Sequence, residues 1–286
     1  MSTIKAHDKS HLIQLVDEKI RIKGNHADLN DIDISDVTDL SYIFSDNPFN
    51  GDISKWDTSN VTDFSHLFDN STFNGDISKW SVSNVKDMSH CFQDSMFEGD
   101  VSQWDVANVK DMSYLFVGST FNGDISKWDT SKVESMRGMF AGCSFNGDMS
   151  QWNVSSVKDM SFMFASSRFY GDISEWNVSN VENMHCMFQR HPYQGDLSKW
   201  RPHSIKIYGQ MLPEFNDSVL GYLGVMLNEY EFPANFSCAA QFHELRSLCA
   251  GLNMDAVIAA QYMYCQITKS PIVSLGTSLD FNHASV

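Results

Sequence analysis

The residues best placed to do chemistry in this sequence are aspartates that return at a fixed step. Asp52, Asp76, Asp100, Asp124, Asp148, Asp172 and Asp196 each follow a glycine, and each lies 24 residues from the next. Carboxylates aligned at constant step could hold a row of cations. A calcium ion, however, takes about six to eight oxygen ligands from closely spaced acids, and each copy here offers one aspartate after a glycine, which forms an Asn-Gly pair in four of the seven copies. The chemistry favours a turn former whose carboxylate accepts nearby backbone N–H groups. The denser cluster Asp28, Asp31, Asp33, Asp36 and Asp39 lacks the glycine and terminal glutamate of an EF-hand loop and reads as a solvated acidic cap. Cys238, His243 and Cys249 match no standard zinc spacing. His185, His191, His203 and His243 are loose polar candidates, but no nucleophile–base–orienter set or phosphate loop accompanies them. Neither an enzyme nor a cofactor or metal site is expected.

The elements that must position these residues follow from the period. All seven tryptophans, Trp56, Trp80, Trp104, Trp128, Trp152, Trp176 and Trp200, keep the 24-residue step. Phe49 through Phe169 and Phe44 through Phe188 keep it too, and Tyr193 closes the first of these series. Leu29, Ile32, Val37 and Leu40 mark an eroded earlier copy, and the copy from Tyr193 erodes in turn. Eight units are therefore expected over 25–212. A unit of this length cannot bury its own apolar face, so units must stack. The tryptophan column could stack sugars or bases, but its lock-step with Phe, Ile and Val columns favours a buried stack.

Within one unit, such as 49–72, Asn50-Gly51 reads as a turn whose glycine supplies positive φ. Ile53, Trp56 and Thr58 read as the inward face of a short strand, with 55, 57 and 59 pointing outward. Val61, Phe64, Leu67 and Phe68 sit at i, i+3, i+6 and i+7, which predicts a short helix capped by Ser59 or Asn60. The expected fold is an α/β repeat solenoid, leucine-rich-repeat-like, with a parallel β ladder of strands about 4.8 Å apart and short helices behind it. Residues 1–24 read as a capping helix, with Leu12, Leu15, Val16 and Ile20 on one face and Gly24 as its stop. Residues 213–286 leave the period and read as a C-terminal helical cap or small domain.

The string F-N-G-D-I-S-x-W-[DN]-[TV]-S-N-V-x-D-M-S-x-[ML]-F resembles the repeat of the BspA-like leucine-rich-repeat surface proteins of bacteria. That resemblance covers about two thirds of the chain. It implies a solenoid used for adhesion or protein recognition, a cell-surface location, and no catalytic residues.

Composition narrows the partners. Net charge is −16 in 286 residues, which argues against direct binding to nucleic acid or anionic membrane. Residues 25–120 carry 17 acids and four lysines, whereas 121–216 carry ten acids and nine bases, so the N-terminal half could steer a basic partner. DNA mimicry would need denser charge, about one per 1.7 Å. No apolar run approaches the roughly 20 residues of a membrane span. No classical signal peptide opens the chain, and six cysteines make no disulfide framework, so a cytoplasmic protein, or one exported without such a signal, is expected. Binding surfaces should differ between units while the core stays constant. The varying outward positions are Lys55, Asp57, Lys79, Gln103, Asp105, Lys127, Asp129, Gln151, Asn153, Glu175 and Asn177, together with the row His66, His90, Tyr114 and Phe162. That row has the composition of a binding hot spot, or else packs against the neighbouring unit's loop. The expected function is a non-enzymatic protein-binding scaffold. The alternative is an acidic inhibitor or effector occupying the basic site of a nucleic-acid-handling protein.

Overall fold

The computed structural model describes residues 3–191 and, beyond them, 193, 195, 197, 199, 200, 202, 204 and 206. The expected helical region over 213–286 lies outside the described residues. Among the described residues the regular elements are β1 (Ile4–Lys5), α1 (Lys9–Lys23) and β2 (Ile32–Asp33). The repeats that follow are built from turns and single parallel bridges. Asp39, Asp63, Asp87, Asp111, Ser135 and Asp159 each bridge to the residue 24 positions on, the last of them to Asn183.

The hydrogen-bond ladder lies where the spacing predicts a helix. The N–H groups of Phe64, His66, Phe68 and Asn70 donate to the carbonyls of Asp87, Ser89, Cys91 and Gln93 in the next unit, at 2.8–2.9 Å. Between them, the N–H groups of Leu67 and Asp69 turn back to the carbonyls of Phe64 and His66, and Ser65 N–H bonds the Asp63 carboxylate. Donors thus alternate between the neighbouring unit and their own. This folding back requires left-handed backbone twice per unit, as at His66 (φ 56) and Asn70 (φ 49). A right-handed helix admits no such residue. Val61, Phe64, Leu67 and Phe68 are nevertheless all buried, as the spacing predicts, because successive turns also bring every third or fourth side chain inward. Gly118, Gly138 and Gly142 occupy the same left-handed positions in later units.

The stretch 53–59 also has no strand, although its facing is as expected. Ile53, Trp56 and Thr58 are buried, and 55 and 57 are exposed. Each corner is made by a side chain that accepts the N–H two residues on. Asp52 takes Ser54, Asp57 takes Ser59, Asp63 takes Ser65, and Ser71 takes Phe73. The Asn-Gly pair does not turn, and its glycines lack positive φ. A Cβ on Gly75 would stand 2.8 Å from the Phe73 ring, so glycine is there to let the phenylalanine fold beneath its own backbone. Asn50 Oδ1 accepts the N–H of Asn74 in the following unit.

The tryptophans pin one unit to the next. Each indole N–H, from Trp56 to Trp200, donates to the carbonyl 27 residues earlier at 2.9–3.1 Å. The Phe49–Phe73–Phe97–Phe121–Phe145–Phe169 rings stack alongside, with centroids 6.1–6.4 Å apart. Cys91, Cys143 and Cys186 are buried as thiols in this core.

The first unit is closed by α1. Asp8 caps it by accepting His11 N–H, Gly24 at φ 80 ends it, and Leu12 and Val16 enter the core. β1 pairs in parallel with β2, Ile4 beside Ile32. The acidic cluster is solvated in part, as expected, with Asp28 and Asp36 exposed, and it also ties α1 and β1 to the first unit. Lys5 meets Asp36 at 2.9 Å, Lys9 meets Asp39 at 3.0 Å, and Lys19 meets Asp31 at 2.5 Å. Asp28, Asp33 and Asp39 also form corners of the kind described above.

Two substitutions test these contacts. Trp104→Phe keeps a ring but removes one of the two hydrogen bonds that the Ile77 carbonyl accepts, the other coming from Trp80 N–H at 3.1 Å, and should cost about 0.5–1.5 kcal/mol in urea unfolding; no measurable loss would remove the indole bond from the account. Ser166→Gly, at φ 54, should gain about 0.5–1 kcal/mol by relieving left-handed strain. In a helix the same change would be destabilising, so the sign of the effect decides.

Candidate functional site

The structure places the expected surface residues in two separate columns. Lys55, Lys79, Gln103, Lys127, Gln151 and Glu175 are exposed, as are Asp57, Asp105, Asp129, Asn153 and Asn177. The second group, however, builds corners. Their Oδ1 atoms accept the N–H groups of Ser59, Ala107, Ser131, Ser155 and Ser179 at 3.0–3.2 Å. Among these five residues the charge varies, Asp or Asn, and the turn does not; Ser81 interrupts the column.

The column of Asp52 to Asp172 is exposed as well and does the same work. The amides and then the hydroxyls of Ser78, Ser102 and Ser126 hold Asp76, Asp100 and Asp124 below the usual carboxylate range. Neighbouring aspartates in the column oppose this: Asp52 raises Asp76, and Asp76 and Asp124 raise Asp100. Among the described residues no group of three His, Cys, Asp or Glu side chains is placed to hold a metal ion.

The second column is a row of rings, and it begins one unit earlier than the sequence reading put it. Tyr42, His66, His90 and Tyr114 stack face to face, with centroids 4.4, 4.2 and 4.7 Å apart. All four sit at left-handed backbone, φ 56–62. Tyr42 is 57% exposed, and the other three are half-buried. The flanks hold the imidazoles in place. Asp69 Oδ2 accepts from His66 Nδ1 at 2.7 Å, and Gln93 Oε1 lies 2.6 Å from His90 Nδ1.

Cations of the chain itself close both ends of this row. Lys9 Nζ lies 5.9 Å from the Tyr42 ring centroid while donating to Asp39. At the other end Gly138 interrupts the rings; a Cβ there would stand 2.5 Å from Tyr114. The Arg137 guanidinium covers this gap, 5.6 Å from the Tyr114 centroid and 5.9 Å from that of Phe162, and its Nε donates to the Tyr114 hydroxyl at 2.6 Å. Phe162 meets His185 edge-on at 5.4 Å. Sequence reasoning named His66, His90, Tyr114 and Phe162 but missed Tyr42, Arg137 and Lys9. The step back of 24 from His66 reaches Tyr42, so that signal was present.

A third column is charged but self-neutralising. Glu134 lies between Lys110 at 3.2 Å and Lys158 at 3.6 Å, and Glu182 pairs with Lys206 at 2.6 Å. The hydrogen bond from Lys110 keeps Glu134 below its ordinary value. No helix among the described residues is long and apolar enough to cross a membrane.

Comparison with known proteins gives a family and no activity. The family described as "Mycoplasma protein of unknown function, DUF285" matches residues 16–122 and 118–220. No curated protein and no solved structure matches the chain.

Lowered aspartate values fix the sign of the acid response. Each contribution is fully present above the unfolded value near 3.8 and is lost as pH falls through the lower folded value. The melting temperature should therefore drop as pH falls from about 5 to about 2. Asp76→Asn/Asp100→Asn/Asp124→Asn keeps the accepting oxygens and should flatten part of that drop. An unchanged acid profile in this triple variant would show that the corner carboxylates do not carry it.

Proposed function

We propose that this chain, which belongs to the DUF285 family of Mycoplasma proteins, is a non-enzymatic scaffold that recognises a partner protein through an outer face of a repeat solenoid. The observation that carries the reading is the ring row. The fold asks for left-handed backbone at this position, and glycine fills it without strain in one unit, at Gly138. Four consecutive units instead place a Tyr or His ring there, at a cost of about 1–2 kcal/mol each, and stacking returns about 0.5–1.5 kcal/mol per pair. Stacking accounts for the rings lying on one another, but not for the wide exposure of Tyr42. Rings held rigid at a surface are the composition of binding hot spots.

The chemistry of the remaining surface supports the same reading. Many of the carboxylates are occupied with corners and cation pairs, and the buried thiols are inert; Cys143, for example, is raised to about 11 by burial. The likeness of the repeat to BspA-like surface proteins agrees with a binding role and would place the protein at the cell surface.

Lysine-directed cross-linking of the full chain to whatever it retains from a cell extract tests the proposal. Cross-links from the exposed Lys55, Lys79 and Lys127, or protection of Tyr42 from modification, are expected. Retention solely through residues beyond 212, with the repeat surface unmarked, would overturn it.

A further inference from the structure

We infer that His191 is an acid-sensitive latch at the joint between the seventh and eighth repeat units, so that the end of the stack opens as the pH falls below neutral while the units before it stay closed.

The column that holds His191 shows what it replaces. Ser71, Ser95, Ser119, Cys143 and Ser167 stand at the same step, and all are buried. Each gives its side-chain oxygen or sulfur to the N–H two residues on, that of Phe73, Phe97, Phe121, Phe145 or Phe169. At the last joint the Tyr193 N–H bonds the His191 main-chain carbonyl instead, at 2.8 Å. The imidazole is fully buried, and neither Nδ1 nor Nε2 has a hydrogen-bond partner. It is the one buried histidine among the described residues. A neutral imidazole carries one N–H, and a protonated one carries two. Protonation in place would therefore add a second unanswered donor and a charge to the interior.

What packs against the ring offers that charge no counter-ion. The rings of Tyr170, Phe188 and Tyr193 lie against it, with centroids 5.2, 6.1 and 6.1 Å away. The Tyr193 hydroxyl donates to the Gly171 carbonyl. Arg168 and Arg190, the charged neighbours in sequence, are exposed and carry the sign that opposes a further cation. Among the described residues no carboxylate pairs with His191. Burial holds the imidazole below its ordinary value of 6.5 and outweighs the carbonyls of Phe169 and Ser167, which favour the proton.

A folded value below the open one means that the open joint takes up the proton. The closed joint is fully favoured above about pH 6.5 and loses ground as the pH falls through that value. A histidine that regains its ordinary value on opening can raise the opening constant by up to about tenfold between about pH 7.5 and about pH 5.5. The corner aspartates, held below 3.8, respond at lower pH, so the two effects separate. The joint is the last before the period ends, and its opening frees the end of the stack without breaking the ladder ahead of it.

Amide hydrogen exchange of the full chain, read by NMR, tests the inference. The Phe164 and Ser166 N–H groups donate to the Met187 and Gln189 carbonyls just ahead of the joint, and Phe68 and Asn70 make the same bonds four units earlier, to Cys91 and Gln93. After correction for intrinsic exchange, protection at Phe164 and Ser166 should fall about three- to tenfold from about pH 7.5 to about pH 5.5. Protection at Phe68 and Asn70 should hold within about twofold. His191→Ser restores the residue of the other units, and His191→Phe keeps a ring that cannot charge. In each variant the ratio of protection between the two pairs should stay constant over that range, whatever its level. An equal acid loss in both variants, an equal loss at both pairs of amides, or no loss at Phe164 and Ser166 would overturn the inference.

Discussion

One hydrogen bond sets the terms for the rest of the structure. The indole N–H of each tryptophan reaches a buried main-chain carbonyl 27 residues earlier, seven times over, at 2.9–3.1 Å. The bond satisfies a polar group on a ring that is otherwise enclosed, and it adds a second donor to a carbonyl that already accepts a main-chain N–H of its own unit. It can form only if the next unit arrives in register. A unit one residue longer would move the ring off its acceptor and shift every corner aspartate. The unvarying 24-residue length follows from this.

Register in turn explains how units with so little regular structure hold together. A strand satisfies its donors by running straight, and a helix by closing on itself. Here the donors between 64 and 70 do both in alternation, half to the next unit and half to their own. The alternation demands left-handed backbone every fourth residue, which glycine, asparagine and aspartate accept readily and rings do not. Corners are secured by short side chains instead of by turn glycines, and this is why Asp-x-Ser recurs three times in the unit 49–72. Surface variety is confined to what these demands leave over: the charge at 57, the side chain at 55 and the ring at 66, with their counterparts in other units.

Much of this was legible in the sequence. The period, the buried columns, the outward columns and the capping helix with its Gly24 stop all follow from residue types and spacing. The conformation of 61–70 did not, because turns with left-handed residues bring Val61, Phe64, Leu67 and Phe68 inward at the same intervals as a helix. Gly138 carried the missing signal, since a glycine among ring residues at one position marks a backbone demand and not a helix interior. The role of Gly51 was misread for the reverse reason. Its lack of a side chain makes room for the Phe49 ring and supplies no special φ. The ion pairs of Asp31, Asp36 and Asp39 were not legible, because their partners, Lys19, Lys5 and Lys9, precede the repeats and share no period with them. Of the candidate site, the rings His66, His90 and Tyr114 were visible as a varying column. Arg137 was not, because it lies outside that column and reaches Tyr114 across the gap left by Gly138.

The central claim is that each unit bonds the next through the main chain between 62 and 70 and is not helical there. Scalar coupling across hydrogen bonds, read by NMR on deuterated protein, reports donor and acceptor directly. The account predicts a correlation from the amide nitrogen of His66 to the carbonyl carbon of Ser89, 23 residues away. A correlation from His66 to the carbonyl of Thr62, four residues back as in a helix, would contradict it.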